Sequence, residues 1–227
     1  MRPAEVKALL DRYGVTERDE VLRLARDARR RSTHRLPDWA QMFVGLEADA
    51  AEIRTYETEL VPGLLQTEDY ARVVTQAADP TRDPRAVERL VAARIERQER
   101  LRSAGGPLIW AILNEAVIRR EVGGKEIIGR QLEHLANLNN NTDPNITIQV
   151  MPFSAGAHPA MGSSFVHLRL VDPPDGETIY LEDMASADYL SNPAKIASYL
   201  TAFGMLAQTA LDPAKSSILI KSAALGE

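Results

Sequence analysis

One stretch of this sequence carries a charge where an apolar side chain would be expected. At 100° per residue, Val87, Leu90, Val91, Ile95 and Leu101 line one face of a helix over residues 84–103. Arg94 and Gln98 fall in the middle of that face, one turn apart. A cation in an apolar stripe is costly unless it is paired. Arg94 therefore needs an acid inside the fold, with Glu57, Glu115 and Glu182 as candidates, or an anionic ligand. A buried ion pair is the plainer outcome and a binding site the sharper one, and both stay open on the sequence.

Two loops could add chemistry. The segment from Glu57 to Tyr70 holds Pro62-Gly63 between ordered elements. A fixed irregular loop of this kind can line a pocket, with Gln66 and Tyr70 offering hydrogen bonds. It can equally be a packed turn with Tyr70 in the core. Residues 152–162 are rich in Gly, Ala and Pro and contain Ser154, His158 and Met161. Loops on a rigid scaffold often carry function, and His158 could bind a ligand or exchange a proton near neutral pH. It could also be purely structural. Glu182 and Asp183 follow a strand and could simply be solvated. His34, His134 and His167 lack ligand spacing, so no metal site is expected. The absence of cysteine excludes disulfides and thiolate chemistry. No nucleophile elbow, phosphate loop or dinucleotide fingerprint is found, and no cofactor is implied.

The elements that must position these residues follow from periodicity and punctuation. Two helices are expected over 3–13 and 16–31, the second ending in Arg29-Arg30-Arg31, where positive charge suits the helix dipole. A third spans about 38–50. Residues 52–57 alternate like a strand, and Thr67 is expected to cap a helix over 68–78. Asp83-Pro84 starts the long helix. Leu108 to Leu113 is a continuous apolar run, as in a strand buried on both faces. Helices follow at 114–121 and 124–140, the second after Gly123-Gly124. Strands are then expected around 146–150, 165–170 and 178–181, the last two as a hairpin across Pro173-Pro174-Asp175-Gly176. Asn192-Pro193 and Asp212-Pro213 open the last two helices. The order implies an α+β fold: a small, mainly antiparallel sheet covered by helices, preceded by a short helical N-terminal remnant.

The chain has 227 residues, 44% hydrophobic, 26% charged and only 5% aromatic, with a net charge of −5. Residues 1–35 carry +4 and the remainder −9. Only the basic end has an electrostatic case for touching DNA. No apolar run approaches the ~20 residues of a membrane span, and the N-terminus lacks the apolar core of a signal peptide. A cytoplasmic location is the expectation.

From about residue 37 onward the chain resembles the C-terminal DUF5753 domain of Streptomyces-type regulators of the XRE helix-turn-helix family. The resemblance rests on Gly45-Leu46-Glu47-Ala48, on Ile53 to Glu57, and on Val61-Pro62-Gly63-Leu64-Leu65-Gln66-Thr67 through Ala71. It continues with Arg94 to Gln98, Asn114-Glu115-Ala116, Gly123-Gly124 and Gln131-Leu132. Further on it includes Gln149-Val150-Met151-Pro152, Ala155 to His158, Phe165, and Ile179-Tyr180-Leu181-Glu182. The resemblance implies transcriptional regulation, often beside a small partner protein of the DUF397 type. It implies no known ligand or catalytic set. Residues 2–15 and 16–31 resemble the last two helices of the preceding DNA-binding module, so the boundary is expected near residue 35, with 36–227 as the effector domain. The groove-reading helices would lie upstream of Met1, and DNA binding by the chain as it stands is expected to be weak or absent. The tryptophan pair often seen after the basic helix in that family is replaced by Arg31-Ser32-Thr33-His34-Arg35.

These readings favour a regulatory domain that binds a small molecule or a small partner protein. The alternative is a regulator-like body recruited as a cofactor-independent cyclase or isomerase in a natural-product pathway. Arg94, Glu115, Tyr70 and His158 would then serve as charge-stabilising and acid–base groups in one closed cavity. A third class, a protein–protein module, would show an exposed apolar groove. The apolar face of residues 196–206 reads either as core or as a dimer surface.

Overall fold

A computed structural model of the protein describes residues 38–101, 106–139, 144–172, 176–184 and 186–226. The two helices expected before residue 32, with their arginine run, lie outside the described residues. Helix α1 (Asp38–Ala48) leads into β1 (Ala50–Glu57). A 3-10 turn at Gly63–Leu65 precedes α2 (Glu68–Ala78) and α3 (Pro84–Leu101). Strand β2 (Leu108–Asn114) runs directly into α4 (Glu115–Arg119), followed by α5 (Lys125–Asn137) and β3 (Ile146–Met151). A second 3-10 turn, Phe153–Ala155, precedes β4 (Phe165–Leu170), β5 (Glu177–Glu182) and β6 (Ala187–Leu190). Helices α6 (Pro193–Thr209) and α7 (Pro213–Ala224) close the chain.

The six strands form one sheet in the order β3-β2-β1-β4-β5-β6. β1, β2 and β3 are parallel, and β4, β5 and β6 add to β1 in antiparallel steps. The α+β reading therefore holds, with a mixed sheet that is antiparallel at three of its five pairings. The parallel half needs crossovers, because parallel neighbours cannot be joined by tight turns. α2 and α3 supply one crossover, and α4 and α5 the other. The expected hairpin is β4–β5, closed by the Leu170 N–H on the Gly176 carbonyl.

Alternating side chains fill two cores, one on each face of the sheet. The first holds Ile53, Ile109, Ala111, Leu113, Ile148, Val150 and Leu168, covered by Leu132 and Leu135 of α5 and Ile220 of α7, with Phe43 and Leu46 of α1 packed alongside. The second holds Tyr56, Ile112, Met151, Phe165 and Ile179, covered by Ile196, Phe203 and Leu206 of α6. The apolar face of residues 196–206 thus packs on the sheet. Phe203 is central there: its ring stands edge-on to Trp110 at 5.3 Å, and Phe165 lies 6.3 Å away. Gln149 fastens this layer by accepting from Trp110 Nε1 (2.8 Å) and donating to the Ala207 and Leu211 carbonyls.

Local rules explain most element ends. Asn192 accepts from the amides of Ala194 and Lys195, and Asp212 from Lys215 N, each just before a proline in the first turn. Gly123 and Gly124 start α5 at φ 71° and 82°. The positive φ at Gly123 is one that side chains rarely adopt, and a Cβ there would also crowd Ile127 Cδ1 at 2.9 Å and Val73 Cγ2 at 3.0 Å, so glycine is favoured. Thr67 departs from expectation. It makes no capping bond; its N–H and hydroxyl both donate to Gln131 Oε1 of α5 instead. β6 was absent from the sequence reading because four residues with an aspartate carry no alternation signal. A turn in which Asp183 accepts from Ser186 N and Oγ returns the chain to β5. Among the described residues, no helix is long and apolar enough to cross a membrane.

Phe203→Ala is expected to destabilise the domain by about 3–5 kcal/mol, the usual loss for a buried aromatic. Ile218→Ala, at a position 68% exposed, is expected to stay within about 0.5 kcal/mol. Urea denaturation of both variants checks the layer assignment.

Candidate functional site

Strand parity places Ile53, Thr55 and Glu57 on the first face of the sheet. Continuing the β1–β4 register one residue beyond Tyr56–Phe165 sets Glu57 beside Ser164. Continuing the β4–β5 register beyond Val166–Tyr180 sets Ser164 beside Glu182. Two carboxylates therefore flank a serine at the carboxyl ends of the parallel strands, their backbones about 10 Å apart across two strand spacings. Thr55 Oγ1 donates to Glu57 Oε1 at 2.9 Å, and Ser164 also hydrogen-bonds Glu57. Ser164 Oγ accepts from Thr58 N at 3.1 Å and is 3.0 Å from Thr58 Oγ1. Burial raises the Glu57 pKa to about 7, the two hydroxyls oppose the rise, and Glu182 adds to it. Glu182 is exposed and accepts from the Tyr180 hydroxyl at 2.8 Å. Burial, with that bond, pushes the Tyr180 phenol up, and its ring stacks on Phe43 of α1 at 4.2 Å.

Helix α3 brings the cations. Gln98 is buried and donates to the Gly63 carbonyl (2.8 Å) and the Gln66 carbonyl (2.9 Å), which fixes the first 3-10 turn against the helix. Arg97 reaches Glu47 of α1, Nε to Oε1 2.6 Å, and Glu47 is only 2% exposed. Burial still raises the Glu47 pKa, against the pull of Arg97 and Arg94. Arg94, half-buried, donates through Nη1 to Gln66 Oε1. Burial and the neighbouring Arg97 charge lower its pKa to about 10, partly offset by Glu47 and Glu182.

The sequence expectation for Arg94 needs correcting in its partner. Its direct contact among the described residues is a neutral amide, and the acid of the interior, Glu47, is paired with Arg97. Glu115 is engaged elsewhere: it accepts from Phe153 N (2.8 Å) and pairs with Arg119 (3.2 Å). Gln66 and Tyr70 spend their remaining bonds on one residue. Gln66 Nε2 donates to the Val61 carbonyl at 2.7 Å, and the fully buried Tyr70 accepts from Val61 N at 3.2 Å. Both hold the loop and, through Gln66, the arginine.

His158 sits with the other face of the sheet. Its Nε2 is 3.2 Å from the hydroxyl of Tyr56, a ring of the second core, and Asn114 Nδ2 approaches that hydroxyl at 3.4 Å. The structure thus brings Glu57, Gln66, Arg94, Gln98 and Glu182 to one face. It leaves His158 on the opposite face and Glu115 as an anchor for the loop after β3. Arg94, Glu115, Tyr70 and His158 do not converge on one cavity. Sequence reading missed Glu47, Arg97 and Ser164. Glu47 had a usable signal, since it follows Phe43 by four residues and so shares the helical face that packs inward.

Arg97 takes the buried Glu47 carboxylate directly, and Arg94 is held by the neutral Gln66 amide with Glu47 and Glu182 acting on it only through their fields. Glu57 titrates near neutrality and can change charge in response to a neighbour. Among the described residues, no group of three or more acids and histidines is placed to hold a metal ion.

A family model described as "Domain of unknown function (DUF5753)" matches residues 40–222. No curated protein and no solved structure matches the chain.

Glu57 makes stability depend on pH. Its folded pKa of about 7 exceeds the ordinary 4.5. Between those values the folded state holds a proton the unfolded state has lost, so stability falls as pH rises through 7. Glu57→Gln is expected to be more stable than the parent at pH 8 by about 1–3 kcal/mol. The difference should close toward pH 4.5. Denaturation midpoints at pH 5, 6, 7 and 8 check the sign.

Proposed function

The chain belongs to the DUF5753 family, and we propose that it works as a regulatory binding domain that takes an anionic small molecule at Arg94. The observation that carries this reading is the uneven charge count behind α3. Two guanidiniums converge where one buried carboxylate, Glu47, is available and Arg97 occupies it, while the exposed Glu182 acts on Arg94 through its field with no direct ion pair among the described residues. Leaving a half-buried cation without a directly paired counter-charge costs stability. Such a cost is commonly retained where a site must recognise a charged group. The attached DNA-reading module is supplied by the XRE-type resemblance and is part of the proposal. Ligand would favour one arrangement of the effector domain over another, and the shift in population would alter DNA binding.

The test separates a structural arginine from a binding one. Arg97→Met should strand Glu47 in the interior and cost about 3–5 kcal/mol. Arg94→Met should fold at least as stably as the parent, because it removes a charge that has no acid of its own. Succinate, citrate and inorganic phosphate serve as probes in a thermal-shift titration. At least one should raise the midpoint of the parent in a saturable way, by about 2.7 kcal/mol of stabilisation at a hundredfold excess over its Kd. Arg94→Met should abolish that response. An equal response in the variant, or a destabilisation matching that of Arg97→Met, would overturn the proposal.

A further inference from the structure

The face of the sheet covered by α6 carries a hollow of its own. Strand parity puts Glu177 on the same face as Ile179, a residue of the second core. Along α6, Pro193, Ile196, Ala197 and Leu200 follow the i, i+3, i+4, i+7 spacing of a single helical strip. That strip, Glu177 and Ser191 line a hollow of about 220 Å³. Three aliphatic side chains and a proline make its wall, and Glu177 is the one charged group in the lining.

The cations nearest to Glu177 in the sheet are committed to another acid. Arg169, opposite Glu177 in the β4–β5 register, gives its Nε to Glu52 Oε2 at 3.1 Å, and Arg54 gives its Nε to Glu52 Oε1 at 2.8 Å. The partner of the Glu177 carboxylate among the described residues is His167, Nε2 to Oε1 3.7 Å, a separation beyond hydrogen-bond reach. His167 is 1% exposed, and neither of its ring nitrogens has a hydrogen-bond partner among the described residues. Burial holds its pKa below the ordinary 6.5, against the pull of Glu177 and Glu52 and with the push of Arg54 and Arg169. The ring is therefore neutral at pH 7. A neutral imidazole at that distance neither bonds nor neutralises the carboxylate, which stays 31% exposed at the wall of the hollow.

We propose that this hollow binds a small aliphatic primary amine, its ammonium on Glu177 and its carbon chain along Ile196, Ala197 and Leu200. An anion would meet Glu177 with no cation in the lining. A neutral apolar molecule would strip water from the carboxylate without replacing its hydrogen bonds, which is costly. An ammonium donates charge-assisted bonds to the carboxylate, and the Ser191 hydroxyl offers a further acceptor. The volume lies below the ~300–1,000 Å³ of sites for drug-sized molecules, so the chain is short. An exposed ion pair alone is weak. Each buried methylene adds roughly fourfold in affinity, so the apolar wall supplies much of the binding. The site lies on the opposite face from Glu57 and does not rest on the Arg94 reading.

Isothermal titration of the full 227-residue chain at pH 7 tests this, with butylammonium, ammonium, 1-butanol and butanoate as probes. Butylammonium should bind saturably and about tenfold or more tighter than each of the other three. Glu177→Gln should keep the thermal midpoint of the parent and weaken butylammonium about tenfold. Ala197→Trp, at an exposed position of α6, should fill the hollow and abolish binding with the carboxylate still present. Arg94→Met should leave butylammonium binding unchanged. No saturable binding of butylammonium overturns the proposal. So does equal binding of ammonium, 1-butanol or butanoate, or full affinity retained in Glu177→Gln or Ala197→Trp. Loss of binding in Arg94→Met would place the amine elsewhere and overturn it too. The anion response at Arg94 is read with different probes and stands or falls separately.

Discussion

Glu47 can neutralise one guanidinium, and α3 delivers two. The carboxylate is almost fully buried and lies 2.6 Å from Arg97, and that pair joins α1 to α3 across the end of the sheet. Removing either partner would leave a charge in the interior, so the pair constrains where both helices sit. The rest of the site inherits its geometry from this constraint. With Arg97 committed, Arg94, three residues earlier on the same face, is carried into the same low-polarity region without an acid of its own.

The location follows from topology. β1 is parallel to β2 on one side and antiparallel to β4 on the other. The chain leaving β1 turns away through the first 3-10 turn to α2 and α3, while the chain entering β4 arrives at the same end from the loop after β3. Here the arriving chain delivers Ser164 to Glu57, and the departing chain delivers Gln66 to Arg94. Each backbone therefore supplies one hydrogen-bonding side chain to one charged group.

Much of this was legible in the sequence. Helical periodicity exposed Arg94 and Gln98 as polar residues on an apolar stripe, and the structure confirms that Gln98 is buried. Proline and asparagine or aspartate signals located α6 and α7 correctly because capping is a local interaction. What failed was non-local. Arg97 finds Glu47 fifty residues away, on a helix whose packing depends on the whole sheet. Thr67 makes no cap and instead gives its N–H and hydroxyl to Gln131 of α5, a partner 64 residues away that no local pattern announces. His158 and Arg94 read alike as candidates for one pocket. Which face of a sheet a loop residue joins depends on strand pairing, and no single segment encodes that.

The residue that best separates binding from packing is Gln66. Its orientation is fixed by exclusion. The Val61 carbonyl can only accept, so the amide nitrogen must face it, and the amide oxygen then faces Arg94, which can only donate. The Val61 N–H donates to the Tyr70 hydroxyl, so both polar backbone atoms of Val61 are engaged and the loop that carries Gln66 is held in place. A carboxylate at this position would hold the guanidinium equally well and neutralise it. An amide holds it and leaves its charge intact. Rigid positioning without neutralisation is what a site needs if its counter-charge is to come from outside the chain. That combination, more than burial alone, distinguishes Arg94 from the structurally committed Arg97 one turn along the same helix.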